Sequence, residues 1–103
     1  MKKQLIGIVG IITLAFTASS ANAASGEALF KQHCAICHPA GGNIVNPKLT
    51  LHKKDLDRQG IKDAEGVVKY LRKPGPGMPA FDAKTIADQD AKAIADYVLK
   101  TFK

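Results

Sequence analysis

Cys34-Ala35-Ile36-Cys37-His38 sets two thiols three positions apart, with an imidazole directly after the second. At that spacing each thiol can add its S–H across one vinyl group of a haem, and the adjoining histidine can bind the iron. The motif uses both cysteines of the chain. Three other chemistries compete for it. A thioredoxin-like dithiol wants a βαβ context, which the flanking sequence lacks. A zinc site could join Cys34, Cys37 and His38 to His52, although structural zinc ligands usually come as two spaced pairs. A plain disulfide would suit a secreted chain but leaves His38 unexplained.

A haem iron has a second axial position. Downstream of the motif the only methionine is Met78, held between Gly77 and Pro79. Its thioether is a soft donor that favours ferrous iron, and Met/His ligation raises the reduction potential. The competing reading of Met78 is a gap-filler in the core. Two histidines are rivals for the same position. His33 adjoins Cys34 on the same helix, which suits it to edge packing. His52 lies among charged residues on a short helix, and ligation through it would lower the potential.

The elements that must position these groups read as helices. Ser25 suits an N-cap for a helix over 28–36 that runs into the motif. Pro39 to Asn43 breaks it, and the loop from Asn43 to Lys48 is the candidate source of a carbonyl that orients His38. Thr50 can cap a short helix with Leu51 and Leu56 inward, stopped by Gly60. Asp63 can cap a third helix over 64–72, which must end before Pro74. Pro74-Gly75-Pro76-Gly77 then makes an extended approach to Met78. A final helix runs from about Asp88 to Thr101, with Ala91, Ile94, Ala95, Val98 and Phe102 as its apolar stripe. No segment alternates as a strand. The expected class is all-α, with long loops wrapped around a ligand.

Bulk properties frame this reading. Lys2 and Lys3 precede an apolar run from Leu5 to Ala18, and Ala21-Asn22-Ala23 fits a small-residue cleavage site. Residues 1–23 therefore read as a secretory signal peptide, with 24–103 as one domain. The apolar run falls short of the ~20 residues that span a bilayer, and no cysteine near the cleavage site offers a lipid anchor. A domain this small usually needs a staple, which a haem provides. The net charge of +6 falls to +4 without the two leader lysines. The basic residues are dispersed, with no aromatic stacking platform, which argues against nucleic-acid binding.

Taken together, Gly26, Phe30, Cys34, Cys37, His38, Met78 and Tyr97 at their mutual spacing resemble the class I c-type cytochromes. Gly41-Gly42-Asn43, Lys53-Lys54-Asp55-Leu56, Met78-Pro79-Ala80-Phe81 and Ala95-Asp96-Tyr97-Val98 bring the resemblance closest to the cytochrome c6 branch, and Pro74-Gly75-Pro76-Gly77 to the c6-like cytochromes of metal-reducing bacteria. The resemblance implies four to five short helices around one covalent haem c. It also implies first and last helices that cross at Gly26 against Tyr97 or Ile94, and six-coordinate iron.

The function expected is that of a periplasmic monohaem one-electron carrier with no catalytic residues. It would use Cys34, Cys37, His38 and Met78, act as a monomer without stable membrane insertion, and exchange electrons with redox proteins. Ile44, Val45, Pro79 and Ala80 could border the haem edge as a docking patch. The alternatives are a haem enzyme or sensor with an open iron position, and a regulatory protein with a structural haem.

Overall fold

A computed structural model describes Gly10 and residues 25–103, so apart from Gly10 the expected signal peptide lies outside the described residues. Among the described residues there are four α-helices and no strand: α1 (Gly26–His33), α2 (Lys53–Arg58), α3 (Ala64–Arg72) and α4 (Asp88–Thr101). A single 3₁₀ turn, Pro39–Gly41, follows the Cys-His motif.

Local chemistry accounts for most boundaries. The Ser25 hydroxyl accepts from the Ala28 amide at 3.1 Å, and the Asp63 carboxylate from the Gly66 amide at 2.8 Å, so α1 and α3 each have a capped donor. Gly60 stops α2 with φ +77°, a left-handed conformation that costs glycine little. Two helices depart from expectation. The first begins at Gly26, directly after its cap, and ends at His33, where the chain tightens into the motif turn. The second begins after His52 with no side-chain cap. Thr50 instead accepts from the His52 amide and donates to the buried Asp55, whose other oxygen takes Arg58. A buried carboxylate needs such partners more than a helix end needs a cap.

The core joins the two ends of the described chain. Helices α1 and α3 both pack on α4, through Leu29, Phe30, Leu71, Ala91, Ile94 and Val98. Gly26 makes the α1–α4 crossing close, since a β-carbon there would overlap the Ala93 carbonyl and lie 2.9 Å from Tyr97 Cβ. Beside it Phe30, Tyr97 and Phe102 form an aromatic triangle with ring centroids 5.3–5.9 Å apart, within the range where tilted rings attract. Phe102 also reaches the middle of the chain, because its carbonyl accepts from the Lys53 amide at 3.1 Å.

Candidate haem site

The α1 helix delivers the motif directly. The Cys34 amide bonds to the Phe30 carbonyl at 2.8 Å, and the His38 amide bonds back to the Cys34 carbonyl at 2.9 Å. This turn holds Cys34, Cys37 and His38 along one wall of a cavity of about 1160 Å³, counting the space at its mouth. Phe30, Leu56, Leu71, Ile94 and Val98 make its wall largely apolar, with contributions from all four helices. Met78 lines the same cavity, 40 residues on in sequence.

The donor set fits an iron porphyrin. His38 is buried, and its Nδ1 lies 2.7 Å from the Gly42 carbonyl oxygen. A carbonyl only accepts, so Nδ1 carries the proton and Nε2 keeps its lone pair for a metal. That partner corrects the sequence expectation, which looked one residue too far, to the loop from Asn43 to Lys48. Asn43 has a different task. Its side-chain oxygen accepts from the amides of Val45 and Asn46, and its amide group donates to the Leu49 carbonyl, which braces the loop at the cavity mouth.

Both thiols are free and half-buried. Burial pushes the Cys34 thiol up to about 11, so it stays protonated at neutral pH. A neutral S–H is the species that adds across a vinyl double bond with no oxidant and no leaving group. Cys34 therefore keeps the hydrogen that such an addition consumes.

The two rival histidines are placed differently from each other. His52 is absent from the cavity lining and sits edge-on to Phe102 with centroids 6.0 Å apart. Among the described residues no group of three or more His, Cys, Asp or Glu side chains is arranged to hold a bare metal ion, so the zinc arrangement is not assembled. His33 lines the cavity and meets Phe81 in a T-shaped contact with ring centroids 6.1 Å apart. Of the cavity-lining residues Ile36, Val45 and Leu49 are exposed, Ile36 by 80 %, and Ile44, next to Val45 in sequence, is exposed without lining the cavity. Sequence reading named Ile44, Val45, Pro79 and Ala80 for a haem-edge patch, of which Val45 and Pro79 line the cavity, and missed Leu49 and Ile36, the latter signalled by its position inside the motif turn. No described helix is long and apolar enough to cross a membrane.

Comparison with known proteins agrees with this geometry. The family model for cytochrome c oxidase, cbb3-type, subunit III matches residues 21–98. Cytochrome c6 from Synechocystis sp. is 38 % identical over 95 residues, covering 92 % of this chain and 78 % of the relative. The structure of OmcF, an outer-membrane cytochrome from Geobacter sulfurreducens, superposes with a TM-score of 0.76 at 46 % identity, covering 77 % of this chain and all of that one. Cytochrome c6C from Synechococcus sp. gives 0.69 at 28 % identity, over 75 % of this chain and 93 % of the other. By motif, fold and likeness the chain belongs to the class I c-type cytochromes of the c6 branch, small electron carriers rather than enzymes, with covalently attached haem c.

Proposed function

We propose that this chain is a periplasmic carrier of single electrons, with its haem bonded through Cys34 and Cys37 and ligated by His38 and Met78. The observation that supports the ligand pair is that His38, with Nε2 left free, and Met78 line one apolar cavity while His52 lies outside it. The bound haem supplies a one-electron ferric/ferrous couple. The protein's own residues do the rest. Gly42 fixes the tautomer and tilt of His38, and Met78 offers a soft sulfur that favours the reduced state. Leu56, Leu71, Ile94 and Val98 keep water from the cavity floor.

Ile36, Val45 and Leu49, with the exposed Ile44 beside Val45, form an apolar rim on which donor and acceptor proteins dock in turn, with Pro79 and Ala80 exposed in the Met78 loop. The protein works as a monomer. Periplasmic residence follows from reading residues 1–23 as a cleaved leader, and thioether formation outside the cytoplasm is consistent with it. Expression in a host that matures c-type haem, followed by spectra of both oxidation states, tests the proposal. A six-coordinate low-spin protein with a sulfur-to-iron charge-transfer band supports it. A five-coordinate high-spin spectrum at neutral pH overturns it.

A further inference from the structure

Arg72, the last residue of α3, turns its charge inward. Its side chain is 22 % exposed, whereas the other lysines and arginines found in ion pairs expose 67–78 % of theirs. One guanidinium nitrogen, Nη1, donates to the Phe81 carbonyl at 3.1 Å and the Ile86 carbonyl at 2.7 Å. The other, Nη2, reaches Asp88 Oδ1 at 2.7 Å. All three acceptors lie just downstream of Met78.

The stretch they anchor packs on the core through Met78 but is poor in backbone donors. Residues 74–80 form an arch that carries Met78, and Pro74, Pro76 and Pro79 each lack an amide donor. Pro76 and Gly77 make a tight turn that leads into Met78, and among the described residues no side chain hydrogen-bonds to these seven residues. The arch springs from the end of α3 and lands at Phe81. There the Phe81 amide donates to the Leu71 carbonyl at 2.9 Å, while the Phe81 carbonyl takes Arg72. Consecutive residues of α3 thus grip both polar groups of one residue, three positions past the methionine.

We infer that Arg72 is a positioning residue for Met78, pinning the downstream foot of the arch so that the thioether stays directed at the iron. This rests on the reading of Met78 as a ligand. The planar fork of arginine suits two carbonyls at once, and lysine offers a point charge without that fork. The pair with Asp88 is a minor part of the device, because that carboxylate is 90 % exposed.

The test uses the haem-loaded protein and four variants: Arg72→Met, Arg72→Lys, Asp88→Asn and Met78→Ala. Imidazole, added to the oxidised protein, probes how readily the sixth ligand yields, and urea unfolding gives global stability separately. Arg72→Met should bind imidazole about tenfold more tightly, the effect expected from losing a charge-assisted hydrogen bond, with a weaker charge-transfer band and a lower potential. Arg72→Lys should fall between it and wild type, and Asp88→Asn should match wild type.

Wild-type imidazole affinity and potential in Arg72→Met would overturn the inference, even if urea stability dropped. If that variant does not fold, Arg72→Lys decides: intermediate affinity supports the inference and wild-type affinity overturns it. If Met78→Ala leaves the wild-type spectrum unchanged, the ligand reading itself fails and the inference with it. Intact Met78 ligation beside an unaffected Arg72→Met would refute the positioning role alone.

Discussion

His38 and Gly42 are joined by a 2.7 Å hydrogen bond across four residues, and this bond fixes which imidazole nitrogen faces the cavity. The carbonyl is supplied by a tight turn whose preceding residue, Gly41, has φ +79°. A β-carbon on Gly41 would meet the Phe102 ring at 2.5 Å. Gly41→Ala should therefore cost about 3 kcal/mol, from left-handed strain and overpacking together. It should also loosen the bond to His38, which makes the imidazole a weaker donor and raises the reduction potential. Urea unfolding and redox titration of the haem-loaded protein check the two effects.

Met78 and His52 should behave oppositely on substitution. Met78→Ala should abolish the sulfur-to-iron charge-transfer band and lower the potential, by loss of a ligand that favours ferrous iron. His52→Ala should leave both unchanged, because that ring packs on Phe102 outside the cavity. Spectra of the oxidised forms and potentiometry read this directly. A spectral change in His52→Ala would revive bis-histidine ligation.

Gly26→Ala probes the α1–α4 crossing. The added methyl would strike the Ala93 backbone, which cannot swing aside as a side-chain tip can. The expected loss is about 3 kcal/mol, at the upper end of overpacking penalties. Chemical denaturation should show a lower midpoint with an unchanged slope.

Asp82 gives the turn that follows Phe81 an acid sensitivity. Its carboxylate accepts from the amides of Thr85 and Lys84 and from the Thr85 hydroxyl. The Thr85 bonds, first among the causes, hold its pKa below the ordinary 3.8. A depressed folded value means that this carboxylate contributes stability above the unfolded pKa and loses it as pH falls through the folded one. Carboxyl titration followed by NMR should place Asp82 below the ordinary aspartate value. In Thr85→Ala it should move back up.

Periodicity and capping made α3 and α4 legible to the residue: Asp63 and the spacing of Ala91, Ile94, Ala95 and Val98 fixed their extents. The reading of Gly26 at a helix crossing also agrees with the structure, but it came from family resemblance. What escaped were relations between segments. Thr50 looked like a cap because Asp55 could not be known to be buried. Arg72 carried no signal beyond its place at the end of a helix. Its acceptors at Phe81 and Ile86 are backbone groups, which leave no trace in side-chain identity. The candidate site was readable in its chemistry because spacing encodes it, while its supports depend on how distant turns meet.

The aromatic triangle of Phe30, Tyr97 and Phe102 also sets an order of events. Cys34 to His38 leave the ribosome long before residues 97 and 102 do, and until then α1 lacks the helix it packs on. The native enclosure depends on closing a loop nearly as long as the described chain, the kind of contact that forms late. The thiols thus remain reachable on an open strand during biogenesis. Haem bonded there would shorten the search by tethering an apolar nucleus to one end, onto which the last helix can condense.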